Sequence, residues 1–221
     1  MRGERTTRSL RLMNLLESSQ LLKKAREGDP AAFQALIRPH LEKVYRFARS
    51  FARDWTDAED IAQEALLKAF SSLKGYREEA SLSTWLFQIT KNTGIDWYRG
   101  KLAKSRDRED EIPEHAAVSE RSQEQMLEER ERAEALWEAI HELDAKFRVP
   151  LVLFEIEGMS TEEVSRIEGI PLGTVRSRLT RARRHLAEAL GRTPEFSRIT
   201  PIPSAPGAQS SFTSSEYSKT S

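Results

Sequence analysis

The sequence predicts an all-α protein built from two small helical domains joined by a flexible acidic linker. Two observations lead to this fold class. Apolar residues recur at three- and four-residue spacing over most of the chain, whereas no segment alternates apolar and polar residues well enough to predict a strand. Between residues 105 and 125 the helical periodicity fails and acidic residues accumulate, which divides the helical pattern into two parts.

Length and composition exclude several classes of protein. The chain has 221 residues, enough for two small domains, and its apolar fraction of 38% suits modest helical cores. No apolar run is long enough to span a bilayer and no secretory leader is present, so we expect a cytoplasmic protein without membrane insertion. The absence of cysteine excludes disulfides, thiolate metal sites and cysteine nucleophiles.

The first domain is expected to follow a basic leader. Residues 1–14 lack clear periodicity, and Met13 is an alternative start that would leave this leader outside the protein. From Leu15 to residue 104 the pattern is helical. The predicted boundaries are an N-cap at Asp29 with Pro30 in the first turn, a capping box at Thr56–Glu59 that opens a helix to about Ser72, and a helix from about Leu82 to Arg99.

The linker is predicted at residues 105–125, where seven acidic residues against three arginines give a net charge of minus four. Helical periodicity returns in the second domain, residues 126–191. Residues 192–221 are rich in Ser, Thr and Pro and predict a disordered tail.

The second domain contains the spacing of a helix-turn-helix. Ser160–Glu163 is a capping box that opens a short helix, and Gly169 ends this helix. Pro171 can then start a second helix after a tight turn. This arrangement is common in proteins that place a helix in the major groove of DNA.

The second helix carries five arginines, which only Glu188 opposes between Pro171 and Leu190. An apolar stripe marks its buried side, and the polar residues divide around it. Arg176, Ser177, Thr180, Arg181 and Arg184 lie on or beside the outward arc, and Arg178 and Arg183 flank the stripe. A solvated basic face is the alternative to a DNA-reading helix. A face that carries only positive charge, however, needs an anionic partner, and arginine suits the guanine edges and phosphates of DNA. We expect Arg176 and Arg181 at base edges and the other three arginines at phosphates.

A predicted helix in the first domain, Asp57–Phe70, presents one leucine on its polar side. Leu67 lies among Asp60, Gln63 and Glu64 on the arc away from the apolar face. A single exposed leucine often has no role. An apolar residue inside a polar rim is, however, typical of a docking site for a protein partner.

The segment Leu82–Lys101, which contains the next predicted helix, interleaves aromatic and basic residues over two arcs that we expect to be exposed. One arc holds Phe87, Lys91 and Tyr98, and the other holds Gln88, Asn92 and Arg99. Such surfaces suit single-stranded nucleic acid, whose bases stack on rings while its phosphates pair with cations. Packing in the core is the alternative for the tryptophans, and we assign Trp97 to the core.

Three stretches in this order resemble the extracytoplasmic-function sigma factors of bacterial RNA polymerase, within the sigma-70 superfamily. They are DAEDIAQEALLKAF, LSTWLFQITKNTGIDWYR and EGMSTEEVSRIEGIPLGTVRSRLTRARRHL, with an acidic stretch before the last. The resemblance covers roughly Leu15 to Leu190 and implies sigma region 2 followed by sigma region 4. Asp144 departs from the family, which often begins a helix with proline there. Pro150 lies close to the next helical stretch and is expected to displace the start of that stretch.

The resemblance implies a role for each of these surfaces. Asp60, Gln63, Glu64 and Leu67 would bind the clamp helices of the largest subunit of core RNA polymerase. The melted −10 promoter element would be held by the loop at residues 75–81 and the helix after it, through Tyr76, Trp85, Lys91, Asn92, Tyr98 and Arg99. The −35 element would be bound by Arg176, Ser177, Arg178, Thr180, Arg181, Arg183 and Arg184.

The resemblance also implies partners and regulation. The acidic linker would mimic RNA in a basic polymerase channel, an anti-sigma protein would hold the chain inactive, and the target genes would form a stress or envelope-type regulon. No cofactor or metal is expected. A repressor or activator of another helix-turn-helix family would explain the arginine-rich helix alone. An enzyme is disfavoured because His40, His115, His141 and His185 are scattered and no glycine-rich phosphate loop occurs.

Overall fold

The computed structural model describes residues 19–104 and 123–191, in which helices are joined by turns and no strand occurs. The first group of helices is α1 (19–26), α2 (Pro30–Ile37), α3 (Leu41–Ala48), α4 (Trp55–Ser72) and α5 (Leu82–Lys104). The second is α6 (Gln123–His141), α7 (Ala145–Leu151), α8 (Thr161–Glu168) and α9 (Leu172–Gly191). The all-α prediction with two helical domains is confirmed. The predicted leader and tail, and residues 105–122 of the predicted linker, lie outside the described residues.

Three predicted helix ends are confirmed. Asp29 caps α2, since its Oδ1 accepts hydrogen bonds from the N–H groups of Ala31 at 2.9 Å and Ala32 at 3.2 Å. Ser160 and Glu163 form the predicted capping box at α8, with each side chain accepting from the other's backbone N–H. Gly169 ends α8 in the left-handed region at φ +69°.

Three other boundaries differ from the prediction. Asp54, not Thr56, caps α4, because its Oδ1 accepts from the Thr56 N–H at 2.7 Å and the helix begins at Trp55. A carboxylate two residues earlier satisfies an orphan N–H of the first turn and also complements the helix dipole. α5 continues beyond Arg99 to Lys104, and α6 begins at Gln123 inside the predicted linker.

Pro150 does not displace the start of a helix. Asp144 caps α7 by accepting from the Lys146 N–H at 3.2 Å, and Pro150 lies within that helix. The next turn, Val152–Ile156, is a π-helix. Proline lacks the N–H that would continue the α-helical pattern, and the widened turn follows directly.

The buried residues of the two groups form one apolar cluster, in which α5 packs against α3 and α4. Phe87 of α5 is only 1% exposed, and its ring meets Phe47 edge-on with centroids 5.1 Å apart. The prediction that Phe87 lies on an exposed arc was therefore wrong. α5 touches more than one neighbour, so its buried face is wider than a single helical stripe.

The close approach of α5 to Phe51 requires glycine at position 94. A Cβ built on Gly94 would lie 2.3 Å from Cγ of the Phe51 ring. We expect Gly94→Ala to lower the free energy of unfolding by about 2 kcal/mol, the usual cost of overpacking a core. Gly100→Ala in the same helix is the control, because nothing lies within 4 Å of that position and alanine favours helix. Equal urea midpoints for the two variants would contradict the packing described.

Candidate nucleic-acid and protein interfaces

The exposed side of α4 has the arrangement that the sequence predicts. Leu67 is 70% exposed, and Asp60, Gln63 and Glu64 are exposed around it. Glu64 pairs with Lys68 one turn away at 2.8 Å. The opposite side of the helix is buried through Ala58, Ile61, Ala62, Ala65 and Ala69. On this part of α4, Leu67 is therefore an exposed apolar side chain within a polar surface.

The residues predicted to hold a melted strand do not all lie on the surface. Tyr76 is 8% exposed, and its ring lies 5.0 Å from that of the half-buried Trp85. Its hydroxyl donates to the Ala80 carbonyl at 2.7 Å, and burial raises the pKa of Tyr76. Asn92, Tyr98 and Arg99 are exposed on α5. In this structure Tyr76 and Trp85 shape the loop, while the other three side chains face solvent.

Lys91, predicted for the same surface, binds the second domain. Its Nζ donates to the carbonyls of Ile167 at 2.6 Å and Glu168 at 3.4 Å, at the C-terminal end of α8. A cation is favoured at this end of a helix. Two turns earlier on α5, the hydroxyl of the buried Thr84 donates to Glu163 at 3.3 Å. α8 thus covers part of the α5 surface that the sequence assigns to DNA.

The outward arc of α9 is exposed as predicted, at Arg176, Ser177, Thr180, Arg181 and Arg184. The two hydroxyls bond back to carbonyls of their own helix, Ser177 to Thr174 and Thr180 to Arg176, each at 3.0 Å. Arg184 lies 3.9 Å from Glu188. Arg176 and Arg181 point away from the buried stripe, in the positions expected for reading an external ligand.

The two arginines beside the stripe are ion-paired within the second domain. Arg178 lies 3.3 Å from Glu168, and Arg183 lies 2.6 Å from Glu155 and over the Phe154 ring. Burial raises the pKa of Glu168, and the nearby positive charges of Lys91 and Arg178 act in the opposite direction. The assignment of Arg178 and Arg183 to phosphates stays a prediction. In this arrangement a phosphate would compete with Glu168 and Glu155 for these two arginines.

A buried ion pair between the domains was not predicted from the sequence. Arg46 of α3 donates to both carboxylate oxygens of Glu157, from Nε at 2.7 Å and Nη2 at 3.1 Å. The Glu157 side chain is 0% exposed. Burial raises the pKa of Glu157, and the hydrogen bonds from Arg46 oppose that rise. Glu42, one turn away at 3.0 Å, also holds the guanidinium in place.

A second contact joins the domains through Arg49. Its guanidinium lies 4.3 Å from the Trp55 ring and 4.8 Å from the Trp137 ring, and it pairs with Glu134 of α6. Burial lowers the pKa of Arg49. Arg53, one turn further along the chain, lies 3.5 Å from Glu138. The spacing of Arg46, Arg49 and Arg53 along the chain was a signal, but the acidic partners of Arg49 and Arg53 are each 85 residues away.

The histidines within the described residues lie on separate elements and show no catalytic grouping. His141 is buried, and its Nδ1 accepts from Arg148 at 2.7 Å. Burial and then the nearby arginines lower the pKa of His141 to about 3, so the ring is neutral. Among residues 19–104 and 123–191, no group of three or more His, Asp or Glu side chains is placed to hold a metal ion. No helix in those ranges has the length and apolarity needed to cross a membrane.

Comparison with known proteins gives matches to both helical groups. Residues 36–103 match the family description Sigma-70 region 2, and residues 133–186 match Sigma-70, region 4. The RNA polymerase sigma-H factor of Pseudomonas aeruginosa is 32% identical over 181 residues, covering 79% of this chain and 94% of that protein. The ECF RNA polymerase sigma factor SigM of Mycobacterium tuberculosis is 33% identical over 175 residues, covering 79% of this chain and 85% of that protein.

A solved structure with a similar fold is also that of a sigma factor. It is the sigma factor RpoE in complex with the anti-sigma factor NepR from Bartonella quintana, with a TM-score of 0.61 and 26% identity over 73% of this chain and 98% of that one. The helical domains and the sequence matches therefore define a protein of the sigma-70 class. Within that class, the chain belongs to the extracytoplasmic-function sigma factors of RNA polymerase.

The buried ion pair predicts a pH-dependent contact between the domains. Arg46→Ala leaves the Glu157 carboxylate buried without its cation, which costs about 3 kcal/mol. The pKa of Glu157 is already raised by burial and should rise further in this variant, so the closed form binds a proton more readily than the open form. The contact should therefore open at higher pH and recover as the pH falls through the raised pKa of Glu157. Spin labels on introduced cysteines, one in each domain of this cysteine-free chain, measure the separation.

Arg53→Ala is the matched control for this experiment. Arg53 and Glu138 are both largely exposed, and such pairs contribute only about 0–1 kcal/mol. We expect the label distance in this variant to match that of the parent at each pH. If Arg46→Ala and Arg53→Ala give the same distances, or if acid widens the separation, the buried pair does not hold the domains together.

Proposed function

We propose that this sigma factor binds core RNA polymerase through the α4 surface at Asp60, Gln63, Glu64 and Leu67. The observation that carries the proposal is the 70% exposure of Leu67 inside a polar rim, on the domain that matches sigma-70 region 2. A large apolar side chain in water gains free energy when a partner covers it, and the surrounding polar groups give orientation. The contact is assigned to the clamp helices of the polymerase's largest subunit.

The second domain recognises the −35 promoter element through α9. Arg176 and Arg181 are the residues for base edges, because both are exposed on the outward arc and arginine suits the acceptors of guanine. Ser177 and Thr180 lie between them, and Arg184 further along is assigned to a phosphate. Arg178 and Arg183 reach phosphates only by exchanging their carboxylate partners for DNA.

The first domain holds the melted −10 element and promotes initiation. Asn92, Tyr98 and Arg99 offer an amide, a ring and a cation on exposed α5, and the loop at residues 75–81 is shaped by Tyr76 and Trp85. Lys91 reaches the strand after α8 releases it, because its Nζ otherwise bonds to the α8 carbonyls. Stacking and phosphate contacts offset the few kcal/mol needed to unpair each base.

Membership of this family also supports a regulatory protein partner and a cellular location for the chain. An anti-sigma protein regulates the chain, which is supported by the likeness to a sigma factor solved with the anti-sigma factor NepR. The chain acts in the cytoplasm, where RNA polymerase works, on a stress or envelope-type regulon. The acidic linker, proposed to mimic RNA, consists mostly of residues outside those that the structure describes.

A helix-turn-helix regulator of another kind is the rival, and it would bind DNA without polymerase. We therefore propose selection from double-stranded DNA with a randomised stretch, using the chain alone and the chain with core polymerase. Two separated sequence elements, enriched only with core polymerase, are expected. Enrichment of one element by the chain alone would favour the rival.

Leu67→Asp is expected to abolish co-purification with core polymerase. The charge would have to be desolvated at the centre of the contact, whereas the melting temperature should stay near that of the parent because Leu67 faces solvent. Leu172→Asp makes the same change at another exposed leucine and should leave co-purification intact. A large loss of thermal stability in Leu67→Asp, or equal capture of both variants, would contradict the assignment.

The arginines of α9 should separate into two classes in the DNA selection. Arg176→Ala and Arg181→Ala should each cost about 1–3 kcal/mol and relax the preferred base at one position of the upstream element. Arg183→Ala should weaken all sequences alike and reduce the salt dependence by about one counterion. Equal losses on every sequence for all three variants would mean that α9 supplies charge alone.

A further inference from the structure

We propose that Arg26 of α1 is a positioning residue for base selection at the −10 element. It would act by fixing the backbone of the loop at residues 75–81, and the inference rests on the proposed function of that loop. Arg26 lies outside the residues that match sigma-70 region 2, which begin at residue 36. The match to the family therefore assigns it no role, and its contacts in the structure do.

The Arg26 guanidinium contacts the loop in three ways. Nη2 donates to the Tyr76 carbonyl, and the same nitrogen lies 3.1 Å from Oε1 of Glu78. Its Cζ lies 5.9 Å from the centroid of the Tyr76 ring. A planar guanidinium can bond a carbonyl and a carboxylate while its face remains near an aromatic ring, a combination that lysine cannot reproduce. One side chain from α1 thus holds both the backbone and the side chains of the loop.

The loop needs such support because its backbone is strained at Glu78. Within residues 19–104 and 123–191, Glu78 is the non-glycine residue with positive φ, at +60°. A side chain with a Cβ adopts this left-handed region at a cost in free energy, and the conformation persists only where contacts hold it. The ion pair of Glu78 with Arg26 is one such contact.

The other end of the loop is joined to α5 by a bond that involves neither Arg26 nor the residues it contacts. Ser81 Oγ accepts from the Thr84 N–H at 3.2 Å as α5 begins, whereas the 2.7 Å bond from the Tyr76 hydroxyl to the Ala80 carbonyl depends on a residue that Arg26 holds. Loss of Arg26 should therefore loosen the segment from Tyr76 to Glu78 without detaching the loop from α5. This segment includes the exposed Arg77, which the loop presents to solvent.

A loop of fixed shape discriminates among bases better than a mobile one. Discrimination depends on donors, acceptors and steric limits staying within a narrow geometry, so a loosened loop accepts several bases with similar free energy. Overall affinity for the strand depends more on cations and rings on α5, which Arg26 does not contact. Arg26 should consequently affect the choice of base more than the strength of binding.

The test uses the full chain reconstituted with core polymerase and the randomised double-stranded DNA described above. In Arg26→Ala, the preference for the favoured base at one or more −10 positions should fall about fivefold, the effect of losing one hydrogen bond. Arg26→Lys should recover part of the preference, since it keeps the charge near Glu78 but not the planar geometry. Base frequencies in the upstream element should match those of the parent for both variants.

Lys23→Ala is the control, because it removes one exposed positive charge from the same helix. Glu78→Gln removes the ion pair while leaving the Tyr76 carbonyl bond, and should relax the preference less than Arg26→Ala. If the parent selects two elements and the Arg26 variants give unchanged −10 base frequencies, Arg26 does not position the loop. If the parent selects no −10 element, the proposed function itself fails. Co-purification of each variant with core polymerase confirms that a change in preference reflects a folded protein.

Discussion

Helix ends leave backbone N–H and C=O groups without partners, and satisfying them is the constraint on which this arrangement of short helices depends. Several starts use a local side chain, as at Asp29, Asp54, Asp144 and Ser160. The C-terminal end of α8 also uses a distant one, because its last carbonyls accept from Lys91 of the other domain. A local requirement of one helix thereby becomes a contact between the two domains. The Arg46–Glu157 pair lies in the same interface and leaves no part of that carboxylate exposed.

The sequence predicts features that depend on neighbouring residues. The caps at Asp29 and Ser160 bond to N–H groups within three residues, so their signal is contained in a short stretch. The start of α4 was missed because Thr56 and Asp54 are both acceptable caps, and the capping-box pattern at Thr56–Glu59 favoured the later one. The exposure of Leu67 was predicted because α4 has a simple division into apolar and polar sides.

Contacts between distant residues could not be predicted in this way. Phe87 was placed outside because a helical wheel does not reveal that α5 packs against α3, α4 and α8. Arg178 and Arg183 were assigned to phosphates because nothing nearby on α9 marks their acidic partners, which come from α8 and the turn after α7. Arg46 and Glu157 are 111 residues apart, and neither has a local pattern that identifies the other. The candidate site was therefore predicted best where side chains face away from the protein.

The π turn after Pro150 constrains how this domain can change in evolution. The Glu157 N–H bonds to the Val152 carbonyl five residues earlier, at 3.0 Å, so the turn holds one residue more than an α-helical turn. Exchanging one apolar residue for another there preserves the path of the chain. Deleting a single residue would restore α-helical spacing and carry Glu157 about 100° around the axis, away from Arg46. The number of residues in this segment should therefore be conserved more strictly than their identities.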